Sequence, residues 1–141
     1  MTTMKLTPND ALLVAIDIAK HRNEVLIEEP GRARRRRMSV LNTRAEHDRF
    51  IEALGQYGRP VLAGFEATGN DHRPLAHRLL EAGVEVRLIS SLALARTREA
   101  LTNGWDKNDP KDAQIILHML RRGGLGNLNR GVEWIIRATS A

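Results

Sequence analysis

Ala11 to Asp17 reads ALLVAID, an apolar run closed by an acid. So short a run without polar alternation is the pattern of a strand buried on both faces, which places it at the centre of a sheet. After a polar KHRN break, Asn23 to Ile27 (NEVLI) resumes the pattern, so the two segments read as hairpin partners. Beyond the PGRARRRR turn and basic run, Met38 to Leu41 (MSVL) reads as a third, short strand whose arginine-rich approach suits a sheet edge.

Past Leu41 the period changes. Phe50, Ile51 and Leu54 fall at helical spacing in AEHDRFIEALGQYG, with Gly55 or Gly58 as the stop. Pro60 to Phe65 (PVLAGF) reads as another buried strand, ending at Glu66 and breaking at Ala67-Thr68-Gly69. Pro74 to Ala82 is a helix faced by Leu75, Leu79 and Leu80 and closed by Gly83. Val84 to Ser90 (VEVRLIS) is a strand and Leu92 to Leu101 a helix. After the TNGWDKN loop a last helix runs from Pro110 to about Arg122. Three consecutive strands followed by alternating helices and strands predict an α/β fold. Its mixed sheet is antiparallel at one edge, parallel beyond and flanked by helices, an order that resembles the ribonuclease H-like arrangement.

At 141 residues the chain suits one domain with a true core. The absence of Cys excludes disulfides and thiolate metal sites, and five His without tight ligand spacing give no zinc pattern. No apolar run is long enough to span a membrane, and the N-terminus lacks a signal-peptide cleavage pattern, so a cytoplasmic protein with no membrane partner is expected. The net charge of +5 equals the contribution of Arg32, Arg34, Arg35, Arg36 and Arg37. Basic character is therefore a local patch, which suits phosphate contacts with nucleic acid; the alternative is a solvated edge blunted against aggregation. Lys20, just past Asp17, is a further candidate for a phosphate contact, or else a solvated lysine after a strand.

Asp17 and Glu66 both stand where apolar strands end. Should those strands be neighbours, both carboxylates emerge in the crevice where open α/β sheets place ligands. Asp109 and Asp112, in KNDPKDAQIILHML, precede the last helix. With Pro110 at its first position, Asp109 reads as the N-cap and Asp112 as N3. A cap does not exclude a second duty. Four converging carboxylates repel one another unless cations occupy the site, and two Mg²⁺ ions about 3.5–4 Å apart would neutralise them and could activate a nucleophile on a phosphodiester.

AIDIAKH, GFEATGN and KNDPKDAQIILHML resemble, in order and spacing, the three motifs of the DEDD transposases of the insertion sequence one-hundred-and-ten family, over roughly Leu12 to Arg122. The resemblance implies a RuvC-like domain over 1–122 with a catalytic, metal-binding quartet at Asp17, Glu66, Asp109 and Asp112. It further implies Mg²⁺-dependent DNA recombination guided by a structured RNA. Family members continue into a second domain that supplies a serine nucleophile, so 123–141 reads as a short tail, truncated or frameshifted, and the chain alone is not expected to complete recombination. The other readings are a structure-selective, metal-dependent resolvase-type nuclease and a non-catalytic nucleic-acid-binding fragment. An actin-like or sugar-kinase fold needs a glycine-rich phosphate turn after the first strand, and IAKH offers none. Thr68 and Gly69 read as a turn passing close to the site or as a purely structural turn, and Trp105 as a packing residue rather than a base-stacking one. No motif specifies the oligomeric state, a homo-oligomer included.

Overall fold

The computed structural model describes residues 10–32, 34–67, 72–102 and 111–122. Three strands open the chain, β1 (Leu12–Asp17), β2 (Arg22–Glu28) and β3 (Arg35–Leu41). There follow α1 (Arg44–Gly55), β4 (Val61–Glu66), α2 (Arg73–Glu81), β5 (Glu85–Ile89), α3 (Ser91–Thr102) and α4 (Asp112–Arg121). The sheet order is β3-β2-β1-β4-β5. β1 pairs antiparallel with β2 and parallel with β4, β2 antiparallel with β3, and β4 parallel with β5. The expected mixed sheet is therefore present, with ALLVAID at its centre.

Both faces of that central strand are covered. Leu12, Val14 and Ile16 pack with Val25, Ile27, Phe50, Leu54, Leu75 and Leu79 beneath α1 and α2. Leu13 and Ala15 face the other way, with Leu26, Leu62, Ile115, Ile116 and Leu120 beneath α4. The side-chain period of two thus converts one apolar run into two cores. Gly64 shows how tightly α4 lies on β4: a Cβ added there would stand 2.7 Å from Leu120 Cδ2.

The helices begin and end on local chemistry. Thr43 caps α1, its hydroxyl accepting from the Glu46 amide at 3.2 Å. Gly83, at φ +85°, closes α2 in the left-handed conformation that glycine adopts without strain. The Val84 amide then returns to the Leu79 carbonyl at 3.0 Å.

Two expectations are corrected. β3 starts at Arg35, so three arginines expected before the strand lie inside it, paired with Glu28, Ile27 and Leu26 of β2. An edge strand needs only one hydrogen-bonded neighbour, so its other side carries long charged side chains in water at little cost. The last helix begins at Asp112, with Lys111 as N-cap in an extended conformation (φ −69°, ψ 152°), so Asp112 is the first helical residue and not N3. Gln114 Oε1 accepts from the Lys111 amide at 3.0 Å and supplies the reciprocal half of a capping box. Asp109, expected as the cap, lies outside the described residues, as do Thr68, Gly69, Trp105 and the tail 123–141.

Candidate active site at the carboxyl ends of the central strands

Strand parity decides which acids meet. Asp17 follows Leu13 and Ala15 on the α4 face, and Glu66 follows Leu62 and Gly64 onto the same face of β4. The parallel register sets Ile16 beside Phe65, so the two carboxylates emerge next to each other at the carboxyl ends of adjacent strands. Asp112 enters from the first turn of α4, where the positive end of the helix dipole favours a negative side chain. Of the four acids expected from the sequence, the three described ones stand on one side of the sheet at one end.

A fourth acid joins them that the motifs did not indicate. Glu24 is the cross-strand partner of Asp17 in the β1–β2 hairpin. It borders a cavity of about 260 Å³ together with Asp17, Arg37, Lys111, Asp112 and Gln114. The signal was present in NEVLI: once Val25 and Ile27 face one core, Glu24 and Leu26 must face the other.

The electrostatics follow from this crowding. Burial, then Glu66, then Glu24 push the Asp17 carboxyl above its ordinary range, against a smaller opposing pull from Arg98. Each neighbouring acid meets a donor: Glu24 accepts from Ser39 Oγ at 3.1 and 3.0 Å, Glu66 from Ser91 Oγ at 3.5 Å, and Asp112 forms an ion pair with Arg98 of α3. Among the described residues no group of three or more His, Asp or Glu side chains is gathered closely enough to hold a metal ion. The donors nonetheless suit Mg²⁺ chemically, being hard carboxylate oxygens on one face with no competing sulfur from cysteine in the chain.

The turn that follows Asp17 is anchored from behind. Asn42 Nδ2 donates to the carbonyls of Ala19 and Lys20 at 2.6 and 3.0 Å, and its Oδ1 accepts from Asn23 Nδ2 at 2.7 Å. Buried His47 continues the chain. Arg78 donates to its Nδ1 at 2.7 Å, and because a guanidinium cannot accept, the ring proton sits on Nε2 and reaches Asn42 Oδ1 at 3.1 Å. Burial first, then the Arg78 charge, depress the His47 pKa, with Asp48 opposing.

The basic run is divided by the same parity. Arg36 lies on the α1 face within 3.4 Å of the Tyr57 hydroxyl, whereas Arg35 lies on the α4 face and pairs with Glu28 at 3.4 Å. Glu28 is shared with Arg121 of α4. All five arginines and Tyr57 line an open groove of about 560 Å³. Arg37 borders both this groove and the acidic cavity. Lys20 is exposed in the β1–β2 turn.

A five-stranded mixed sheet of this order, with acids at the carboxyl ends of its central strands, defines a ribonuclease H-like fold of the RuvC type. Two solved structures are similar: the RuvC protein of T. thermophilus in complex with a Holliday junction substrate, at 16% identity and TM-score 0.51 over 83% of this chain and 95% of that one, and Thermus thermophilus RuvC alone, at 14% identity and TM-score 0.49 over 84% and 96%. No curated protein sequence matches. The family model DEDD_Tnp_IS110, described as Transposase, matches residues 14–135, past the Arg122 at which the resemblance read from the sequence ends. The chain belongs to this family of DEDD transposases. No described helix is long and apolar enough to cross a membrane.

Proposed function

We propose that this chain is the metal-dependent phosphodiester-processing domain of a DNA transposase, with Asp17, Glu66, Asp109 and Asp112 holding two Mg²⁺ ions. The observation that carries the proposal is the meeting of Asp17, Glu66 and Asp112 on one face, at the carboxyl ends of β1 and β4 and the start of α4, in a chain of a DEDD transposase family. Bound there, the ions supply Lewis-acid polarisation of a phosphoryl oxygen and activation of a hydroxyl nucleophile. The Asp17 carboxyl, raised by burial and then by Glu66 and Glu24, is relieved when a divalent cation binds beside it. Arg32, Arg34, Arg35, Arg36, Arg37 and Lys20 take backbone phosphates. Arg37 carries that contact from the groove to the acidic cavity. Its partners on this reading are DNA and a structured guide RNA.

The test is calorimetric Mn²⁺ titration with thermal melts, for the wild type and for Asp17→Asn, Glu66→Gln and Asp109→Asn. Each variant should bind metal more weakly, while Asp17→Asn melts higher than wild type without metal because one repelled charge is gone. Undiminished stabilisation of every variant by metal would rule out the quartet. A resolvase-type activity would use the same acids; preference for four-way junctions over linear DNA in competition binding distinguishes it.

A further inference from the structure

Asp112 is the one described acid of the proposed quartet that already meets a full positive charge. Its partner, Arg98, projects from α3, and both side chains are only partly buried, at 39% exposure for Arg98 and 36% for Asp112. The Arg98 charge is close enough to act on Asp17 as well. Arg98 therefore holds the helix-borne side of the cluster directly and acts on its strand-borne side through its charge. A carboxylate oxygen cannot accept a guanidinium and coordinate a divalent ion along the same direction, so the two cations compete for it.

We propose that Arg98 is the internal counter-cation of the acidic site: it holds the Asp112 carboxylate in the metal-free protein and is displaced from it when a divalent ion binds. The inference rests on the metal reading above. It accounts for the lack of a preformed cage among the described residues, since Asp112 is turned toward α3. It also gives α3 a function beyond packing. The ion pair ties α3 to α4, so metal binding would loosen that tie while tightening the bond of α4 to the sheet edge.

Calorimetric titration with Mn²⁺ alone, on the wild type, Arg98→Gln and Arg98→Lys, tests this, with metal-free melts to verify folding. Arg98→Gln should bind Mn²⁺ about fivefold more tightly, the scale set by removing one competing, partly exposed ion pair. Arg98→Lys keeps the charge and should stay within about twofold of wild type. Equal or weaker affinity in Arg98→Gln would show that the guanidinium presents Asp112 to the metal, and the inference fails. It fails equally if Arg98→Lys binds as tightly as Arg98→Gln. Should the wild type and both variants bind no Mn²⁺, the metal reading itself falls and takes the inference with it; metal binding unaffected by either substitution rejects the inference alone.

Discussion

His47 couples protonation to the geometry behind Asp17. Its Nδ1 is committed to Arg78 and its Nε2 proton to Asn42, so a second proton would displace the Arg78 hydrogen bond and add like charge beside it. The folded-state pKa lies below the ordinary value of 6.5, which means the unfolded chain binds more protons as acidity rises. Stability from this site is complete above about pH 6.5 and is lost as pH falls from there toward the lowered folded value. The melting temperature should therefore drop between about pH 7 and pH 5 more steeply in wild type than in His47→Gln, measured by circular dichroism at constant ionic strength. Parallel pH profiles would show that His47 does not link protonation to folding. Asp17 has the opposite sign: its carboxyl is raised by burial and by Glu66 and Glu24, so its charged form opposes folding as pH rises through the raised value. In the metal-free protein the two contributions therefore oppose each other: acidification removes stability at His47 and restores it at Asp17.

β3 shows how one element serves two surfaces. Because its residues alternate, the arginine run does not form a single basic face. Arg36 points toward Tyr57, Arg35 is tied to Glu28, and Arg37 reaches the acidic cavity. Replacing Arg32, Arg34 and Arg36 with Gln should flatten the salt dependence of DNA binding by about 0.9 log unit for each phosphate that is no longer neutralised. The melting temperature should change little, since exposed charges contribute little to stability. Singly, Arg35→Gln and Arg32→Gln should have smaller effects on the salt slope than Arg36→Gln, because Glu28 and Glu29 already partly neutralise Arg35 and Arg32. Filter binding across a salt series measures both, and an unchanged slope in the triple variant would mean the groove does not touch DNA. The strand itself was only half legible in the sequence: MSVL was visible by its apolar pattern, but three arginines in a row conceal a strand whose only ladder is on one side. α4 was legible as an amphipathic helix, yet its first residue was not, because Pro110 invited too early a start and Gln114 supplied a cap from inside. Asp17 and Glu66 could be read from apolar runs that end in acids. Arg98 could not, since the side of α3 that meets α4 is set by packing between helices and leaves no mark in local periodicity.

In the whole molecule, the acidic site depends on how closely α4 lies on the sheet. Leu120 fills the space above Gly64, and this packing sets the height of the helix whose other end carries Asp112. Gly64→Ala should force Leu120 aside at a cost of about 1–3 kcal/mol, the usual penalty of overpacking, and lower the melting temperature accordingly. Leu120→Ala in the same chain should recover part of that loss by opening room for the new methyl group, and a double-mutant cycle reads the coupling. Full additivity would mean that Gly64 is not where α4 is held.

The sheet order also has a temporal side. β1 is first in the chain yet central in the sheet, and its hairpin partners β2 and β3 follow at once, whereas Asp112 arrives 95 positions after Asp17 (112 less 17). Local pairings close with little loss of chain entropy and distant ones late. During synthesis the basic edge should therefore exist while the carboxylate cluster is still incomplete, so that, on the proposed function, a nascent chain would meet nucleic acid before it could act on it. Pulse-labelled hydrogen exchange during refolding, with β2 and β3 amides protected ahead of those of α4, is the pattern this order requires.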